Sequence, residues 1–175
     1  MSEYFDQLSK AMVAVAQHPR AVFMGQAVEY PGTAIFNTLK DVPKEKKLEL
    51  PVAEDMQMGM AIGMSLNGEL PICIYPRINF LLLAINQLVL HLDKLPLYSR
   101  WKPKVIIRTA IAIDKPMDPG HQHLGDFTLA LRYMLSTVRI RKLINPGDIV
   151  RTYQQAIEDD ASYLIVENMA YYGMT

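Results

Sequence analysis

The sequence predicts a three-layer α/β/α fold in which a mostly parallel sheet is covered by helices on both faces. The first observation is that short, continuously apolar runs, typical of buried strands, alternate with longer segments of helical periodicity. The second is that only a few residues join each run to the next helix, and parallel strands require such crossovers. A chain of 175 residues is typical of one compact core, so we expect a single domain over residues 1–175.

The N-terminal part of the chain predicts a helix, a strand and a short second helix. Apolar residues recur at helical spacing over residues 2–18, and a proline follows, which predicts the opening helix. The apolar run AVFMG at 21–25 predicts a strand, and YPGT at 30–33 predicts a turn set by its Pro-Gly pair. Residues 34–40 predict a short helix, whereas the charged segment 43–47 predicts a solvated linker.

The middle of the chain is the stretch around which the rest is arranged. One carboxylate, Glu54, stands at the entrance of a Met- and Gly-rich apolar helix predicted over residues 54–68. A short strand at 71–75 and the aromatic residue Phe80 follow, and a further apolar helix is predicted over residues 79–94. An acid at the mouth of an apolar segment is unusual, so Glu54 is a candidate functional residue.

The second half continues the alternation of strands and helices. KVIIRT and VRIRKLI contain the β-branched residues typical of strands, and Asp126 is suited to cap the helix that follows it. The predicted elements are a strand at 104–109, a loop at 112–126, a helix at 127–135, a strand at 138–144, a helix at 145–159 and a strand at 163–167.

Composition excludes several classes of function. The 18 basic and 18 acidic residues balance, so the chain lacks the basic field that holds nucleic acid. Glu3 and Asp6 argue against a signal peptide, and the apolar window 78–92 is shorter than the ~20 residues of a membrane-spanning helix. The one cysteine, Cys73, cannot form an internal disulfide, which favours a reducing compartment. We therefore expect a cytoplasmic protein with no nucleic-acid and no membrane partner.

Spacing alone leaves the role of the central helix open. The helix macrodipole stabilises a carboxylate at its N-terminus, so Glu54 taken alone is either a first-turn charge or a catalytic group. Gly59 and Gly63 lie on one face of this helix, and each costs about 1 kcal/mol of helix stability relative to Ala. Either a neighbouring helix of the same domain packs closely there, or the face is a subunit interface or a cofactor wall.

The loop after the predicted strand at 104–109 contains two histidines. His123 lies in a polar segment and is a candidate for proton transfer, and His121 alternates with it as on an extended chain. No cluster of Cys, Asp or Glu completes a ligand set around them, so we expect no metal site in this chain. The sequence also lacks GxGxxG and GxxxxGK[ST], so a phosphate group would have to be held mainly by another chain.

Six motifs, covering nearly the whole chain, occur in an order typical of one family. They are VFMGQAV with PGT behind it, LPVAEDMQMGMAIGMSLNG, LPICIYPRINFLLLAINQL, KVIIRT, GHQH and IVENMAYYG. In this order they resemble the pyrimidine-binding domain of thiamine-diphosphate-dependent enzymes, in the group of transketolase and the 2-oxoacid dehydrogenase beta subunits. The resemblance implies the three-layer thiamine-diphosphate-binding fold.

The resemblance implies roles for four residues. Glu54 matches the glutamate that hydrogen-bonds the aminopyrimidine ring and drives the tautomer whose imine generates the thiazolium ylid. Phe80 matches the aromatic residue that stacks on the pyrimidine, and Ile78 stands where the family often has a second aromatic residue of this wall. His123 matches the histidine that faces the thiazolium side and handles substrate protons or oxyanions. Gln26 replaces the acid of the family's G-E-x-V pattern, which puts a proton relay through that position in doubt.

The resemblance also implies a second chain. In this family a separate domain with a GDG motif and a downstream Asn holds the diphosphate and Mg²⁺, and this sequence contains no GDG. We therefore expect thiamine diphosphate and Mg²⁺ to be held mainly by a partner subunit, in a heterotetramer with two copies of each chain. The favoured function is the pyrimidine-binding subunit of a split enzyme, either transketolase-like or 2-oxoacid-decarboxylating. The alternative is a catalytically silent binding or regulatory subunit, for which Gln26 is the best support.

Overall fold

A six-stranded sheet forms the centre of the computed structural model, which describes residues 2–111 and 120–173. The strands are β1 (Ala21–Gly25), β2 (Lys47–Glu49), β3 (Leu70–Tyr75), β4 (Ile106–Ile111), β5 (Arg139–Lys142) and β6 (Tyr163–Asn168). Their order is β2-β1-β3-β4-β6-β5, and every neighbouring pair is parallel. The predicted parallel sheet is confirmed.

Helices cover both faces of this sheet. They are α1 (Glu3–Ala16), α2 (Ala34–Asn37), α3 (Glu54–Leu66), α4 (Ile78–Leu81), α5 (Leu95–Tyr98), α6 (Thr128–Met134) and α7 (Ile149–Glu158). Buried residues of α1 and α7 share one apolar core, and buried residues of α3, α4 and α6 share the other. This arrangement confirms the three-layer α/β/α class.

Strand β3 shows how the sheet divides the apolar residues. All six of its residues are buried, and Ile72 and Ile74 belong to the core under α1 and α7. Cys73 and Tyr75 belong to the core under α3. Successive side chains of a strand point to opposite faces, and burial of each large apolar side chain contributes roughly 1.5–3 kcal/mol. The continuous apolar run in the sequence therefore reflects a strand covered on both sides.

The core under α1 and α7 contains a buried ion pair that the sequence did not predict. The Arg108 Nε donates to Glu167 Oε1 at 2.6 Å, and both side chains are fully buried. Arg108 Nη2 also donates to the Thr38 hydroxyl at 2.8 Å, and the Tyr153 hydroxyl donates to Glu167 Oε1 at 2.9 Å. Because a buried charge needs such partners, this network ties β4 and β6 to α7 and to the segment after α2.

Strand β2 corrects one prediction. The segment 43–47 was expected to be a solvated linker, but only Lys44–Lys46 forms an exposed turn, and Lys47 begins a strand. The register pairs Phe23 with Lys47 and Gly25 with Glu49. An edge strand of three residues without an apolar run gives no periodic signal, so the pattern in the sequence could not reveal it.

The helix predicted over 79–94 is broken. A 3-10 turn (Leu82–Ala84) follows α4, and a π-helical segment (Gln87–Leu92) lies beyond a bend of 68°. Among the described residues no single helix is long and apolar enough to span a membrane, whereas the two arms of this bent pair reach that length and apolarity together. Their inward residues Leu81, Ala84, Leu88 and Leu92 are at most 1 % exposed.

Helix α3 has a well-defined end. Gly68 adopts φ +93°, its N–H donates to the Ser65 carbonyl, and the Glu69 N–H donates to the Met64 carbonyl. These two bonds form a Schellman motif, in which the left-handed residue is usually glycine. The cap ends α3 before β3 begins at Leu70.

Candidate active site

The candidate residues follow four neighbouring strands at one edge of the sheet. Gln26 follows β1, Glu54 opens the helix after β2, Phe80 lies just beyond β3, and His123 lies in the connection beyond β4. The carboxyl ends of parallel strands meet at the same edge, and β1 is flanked by β2 on one side and β3 on the other. The connections that leave β1 and β3 therefore run in opposite directions, and open α/β sheets bind ligands in the crevice between two such strands.

Glu54 is the first residue of α3 and is only 6 % exposed. The Gln26 Nε2 donates to its Oε1 at 3.3 Å, and the Tyr75 hydroxyl donates to its backbone carbonyl at 3.0 Å. No donor among the described residues reaches the other carboxylate oxygen, Oε2. A buried carboxylate at the positive end of a helix thus retains one oxygen with which to accept a hydrogen bond from a ligand.

Buried polar side chains of α3 and β3 lie behind Glu54. The Gln57 Nε2 donates to the Ile74 carbonyl at 2.8 Å, and Tyr75 and Cys73 are both buried beside it. Burial raises the pKa of the Cys73 thiol to about 11 and also raises the pKa of Tyr75. Both groups therefore stay neutral, and Cys73 acts as a small apolar residue and not as a nucleophile.

Phe80 and His123 form a second contact pair. Their ring centroids lie 5.4 Å apart with an interplanar angle of 58°, and both side chains are half-buried. The Asn79 Nδ2 donates to the Gln122 carbonyl at 2.8 Å and so ties α4 to the His121–His123 turn. The structure thus brings together two of the predicted site residues.

Two buried polar atoms of this region have no hydrogen-bond partner among the described residues. His123 Nδ1 and Asn79 Oδ1 are buried and form no hydrogen bond with any residue that the structure describes. His121 is exposed, and both histidines lie in a 3-10 turn, so the extended conformation expected for this segment was wrong. A buried polar atom without a partner needs an explanation, and a bound ligand that completes its hydrogen bonds is one. Of the predicted loop at 112–126, residues 112–119 lie outside the part of the chain that the structure describes.

Ile78 is placed differently from the other predicted residues. Its side chain has no exposed surface and belongs to the core under α3. Its assignment as a cofactor contact stays a prediction, as do the roles of Glu54, Phe80 and His123. Within residues 2–111 and 120–173, no group of three or more His, Cys, Asp or Glu side chains could hold a metal ion.

Sequence reasoning missed the residues that support the site. Glu49 accepts hydrogen bonds from three backbone N–H groups of the loop that contains Gln26, and Gln57 holds the end of β3. A Glu that ends a strand and a Gln one turn into a helix are ordinary in sequence. The only available signal was that Gln57 is polar within a mostly apolar helix, whereas Glu49 lies in a charged segment that gives no signal.

Comparison with known proteins gives one curated relative and several structural neighbours. No family model matches the chain. The chain is 26 % identical over 178 residues to the pyruvate dehydrogenase E1 component subunit beta of Gracilaria tenuistipitata var. liui, covering 97 % of this chain and 54 % of that protein. The chain therefore spans about half the length of the curated relative that it matches.

Two solved structures share the fold. A split gene transketolase, solved as an inactive beta4 tetramer, matches with a TM-score of 0.73 at 22 % identity over 94 % of this chain and 51 % of that one. The thiamine diphosphate-dependent 4-hydroxybenzoylformate decarboxylase of Rhodococcus jostii RHA1 matches with a TM-score of 0.70 at 13 % identity, covering 95 % and 31 %. The resemblance to a thiamine-diphosphate pyrimidine-binding domain is confirmed.

The residues present at the edge of the sheet suit a pyrimidine-binding domain. An aminopyrimidine has a ring face that an aromatic side chain can contact and ring nitrogens that can hydrogen-bond a carboxyl group. Glu54 offers an oxygen without a donor among the described residues, and Phe80 offers a half-buried ring. His123 adds a buried ring nitrogen without a described partner. These groups fit the aminopyrimidine ring of thiamine diphosphate.

Proposed function

We propose that this chain is the pyrimidine-binding subunit of a split, two-chain thiamine-diphosphate-dependent enzyme, active in the cytoplasm. The observation that carries the proposal is Glu54, a buried carboxylate at a helix N-terminus whose Oε2 has no donor among the described residues. The similarity to a pyruvate dehydrogenase E1 beta subunit over 97 % of the chain supports it. When bound, thiamine diphosphate supplies a nucleophilic carbon and an electron sink for cleaving or forming a bond next to a ketone.

The chain's own residues hold the pyrimidine half of the cofactor in this proposal. Glu54 hydrogen-bonds the ring nitrogen and favours the tautomer needed for activation, and burial in an apolar wall strengthens that hydrogen bond. Phe80 stacks on the ring, which is worth about 1 kcal/mol beyond area burial. Ile78 supports this wall from within the core. His123, in contact with Phe80, moves protons on the substrate side.

The diphosphate and Mg²⁺ belong to a partner chain in this proposal. These 175 residues contain no GDG motif and no glycine-rich phosphate loop. The split gene transketolase whose beta4 tetramer is inactive is a precedent for a beta chain of this fold that does not work alone. We propose a heterotetramer with two copies of each chain, in which the partner carries GDG and the downstream Asn.

The exposed face of α3 is the surface that we assign to another subunit. Outside its own helix, no atom of the described residues lies within 4 Å of the position that a Cβ would take on Gly63, and a Cβ on Gly59 would meet only the Gln87 side chain among them, at 3.9 Å. Neither glycine is closely packed against the residues that the structure describes, so packing among these residues does not explain them. Leu82 and Leu83 on the neighbouring arm are exposed apolar residues. A contact with another subunit would bury the glycine face of α3 together with these two leucines.

Two reaction types suit this site equally: transketolase-like transfer of a two-carbon unit and decarboxylation of a 2-oxoacid. The second candidate function is a catalytically silent binding or regulatory subunit that retains the fold and the interface. Gln26 favours it, because an amide cannot relay a proton as the acid of related beta subunits can. The two candidates differ in what they predict for Glu54.

The test is the Glu54→Gln variant in a mixture with the GDG-containing chain, assayed with pyruvate and with a ketose phosphate. We expect turnover to fall at least about 100-fold, because general acid–base groups contribute about 10²–10⁴-fold, while gel filtration shows unchanged assembly. The matched control is Asp55→Asn, which removes an exposed acid at the next position and should keep wild-type turnover. Full activity in Glu54→Gln would contradict the proposal and favour the silent subunit.

A further inference from the structure

The side chain of Glu49 accepts hydrogen bonds from the loop that follows β1. Its Oε1 accepts from the Ala27 N–H at 2.7 Å, and its Oε2 accepts from the N–H groups of Val28 and Glu29, each at 2.8 Å. Three successive backbone donors thus converge on one carboxylate. Charge-assisted hydrogen bonds of this kind are among the strongest in proteins, and all three distances are short.

The loop needs this acceptor because its backbone is unusual. Ala27 has φ +53°, which places a non-glycine residue in the left-handed region, and Gly25, two residues earlier, has φ +149°. Successive N–H groups around a left-handed residue form a concave nest that binds an anion. Val28 is fully buried, so its N–H cannot turn to water. Glu49 supplies the anion from within the chain.

Pairing of β1 with β2 fixes where Glu49 stands. The register places Gly25 opposite Glu49, and the Leu50 N–H donates to the Gly25 carbonyl at 2.9 Å. Gln26 therefore lies between Gly25, which is hydrogen-bonded within the sheet, and residues 27–29, whose N–H groups are hydrogen-bonded to Glu49. Its Nε2 is held at 3.3 Å from Glu54 Oε1.

We propose that Glu49 is a positioning residue that acts on Glu54 through Gln26. It fixes the loop so that the Gln26 amide occupies Oε1 of Glu54 and leaves Oε2 for the heterocycle. An amide donates a hydrogen bond here but cannot take up the proton of Glu54, so it sets the orientation of the carboxyl group without relaying protons. The contact between Glu54 and the heterocycle rests on the proposed function. The positioning of Gln26 by Glu49 does not.

The first arm of the test measures the positioning of Gln26 by Glu49, using NMR on the full chain without cofactor. We expect the amides of residues 27–29 to be protected from hydrogen exchange and the Gln26 side-chain NH₂ resonances to be shifted from random-coil positions. Glu49→Ala should abolish both, and the matched variant Glu45→Ala, which removes an exposed acid of the preceding turn, should abolish neither. Glu49→Gln, with one carbonyl oxygen as acceptor, gives the same readout if Glu49→Ala does not fold. Unchanged Gln26 resonances in a folded Glu49 variant would overturn the proposal.

The second arm measures turnover in the mixture with the GDG-containing chain. Glu49→Gln and Gln26→Leu should each lower kcat by about 10- to 100-fold, which is typical of a misplaced catalytic group, and the double variant should be no slower than the slower single variant. A merely structural role for Glu49 predicts instead that the two losses multiply, which would overturn the proposal. If wild-type mixtures show no turnover, the proposed function fails, and the NMR arm still decides whether Glu49 positions Gln26.

Discussion

At the scale of single residues, the domain uses carboxylates to hold backbone amides. Asp93 is the second example after Glu49. Its Oδ1 accepts from the N–H groups of Ser136, Thr137 and Val138 at 2.9, 2.7 and 2.9 Å, and the Lys94 Nζ donates to its Oδ2 at 2.7 Å. The carboxylate joins the end of the bent helical arm to the segment that leads into β5.

This contact predicts how stability depends on pH. Burial alone would raise the pKa of Asp93, but the hydrogen bonds from Lys94 and from the backbone at Val138 outweigh it and lower the pKa below its ordinary value. A group whose folded pKa is lowered contributes stability above its unfolded pKa of about 3.9 and loses it as the pH falls through the folded value. We expect the free energy of unfolding, from urea titrations between pH 6 and pH 3, to drop less steeply in Asp93→Asn than in the wild type. Parallel pH profiles for the two proteins would contradict this account.

The residues that could be predicted from the sequence are those proposed to carry the chemistry. Glu54 is visible as an acid at the start of an apolar helix, and the order of motifs identified Phe80 and His123. Glu49 and Asp93 could not be found in this way, because their partners are backbone amides of segments that the sequence does not mark as neighbours. Only the fold brings those amides together.

At the scale of elements, the end of β1 requires a glycine. Gly25 has φ +149°, and a Cβ there would collide with the Ile74 carbonyl and lie 3.1 Å from the Gln57 Nε2. We predict that Gly25→Ala lowers the free energy of unfolding by at least about 2 kcal/mol, from backbone strain together with overpacking. Urea denaturation of the isolated chain measures this loss. A change below about 0.5 kcal/mol, within the range of ordinary surface substitutions, would show that the loop accommodates the methyl group.

Helix α3 predicts the opposite outcome for Gly63. This residue has helical backbone and open space around its Cα, so Gly63→Ala should stabilise the isolated chain by about 0.5–1 kcal/mol. If the face of α3 contacts another subunit, the same methyl group should weaken assembly, as measured by analytical ultracentrifugation. A less stable isolated chain would instead indicate close packing within the domain, and unchanged assembly would remove this face from the interface.

Among the elements, strands and helices with clear periodicity were predicted, and two features were not. Strand β2 is too short and too charged to give a signal, and it forms because β1 offers it an unpaired edge. The break in the predicted helix 79–94 was missed because Leu81, Ala84, Leu88 and Leu92 keep helical spacing through the bend. Periodicity indicates which side of a segment is buried, but not whether its axis is straight.

At the scale of the whole molecule, the strand order creates the candidate site. Because β2, β1, β3 and β4 are neighbours, the residues that follow them meet at one edge although they are far apart in sequence. Alternation of apolar runs predicted a parallel sheet, but the order of its strands depends on pairing between distant segments. The resemblance to the pyrimidine-binding domain supplied what periodicity could not, namely which residues share that edge.

In the proposed enzyme this chain is one half of a cofactor site, and calorimetry tests this proposal most directly. Thiamine diphosphate with Mg²⁺ is titrated into this chain, into the GDG-containing chain and into their mixture. We predict saturable heat with one cofactor per pair of chains in the mixture only, because one chain offers the pyrimidine wall and the other the phosphate and metal ligands. Equally tight binding by this chain alone, or no binding by a mixture that assembles, would contradict the account.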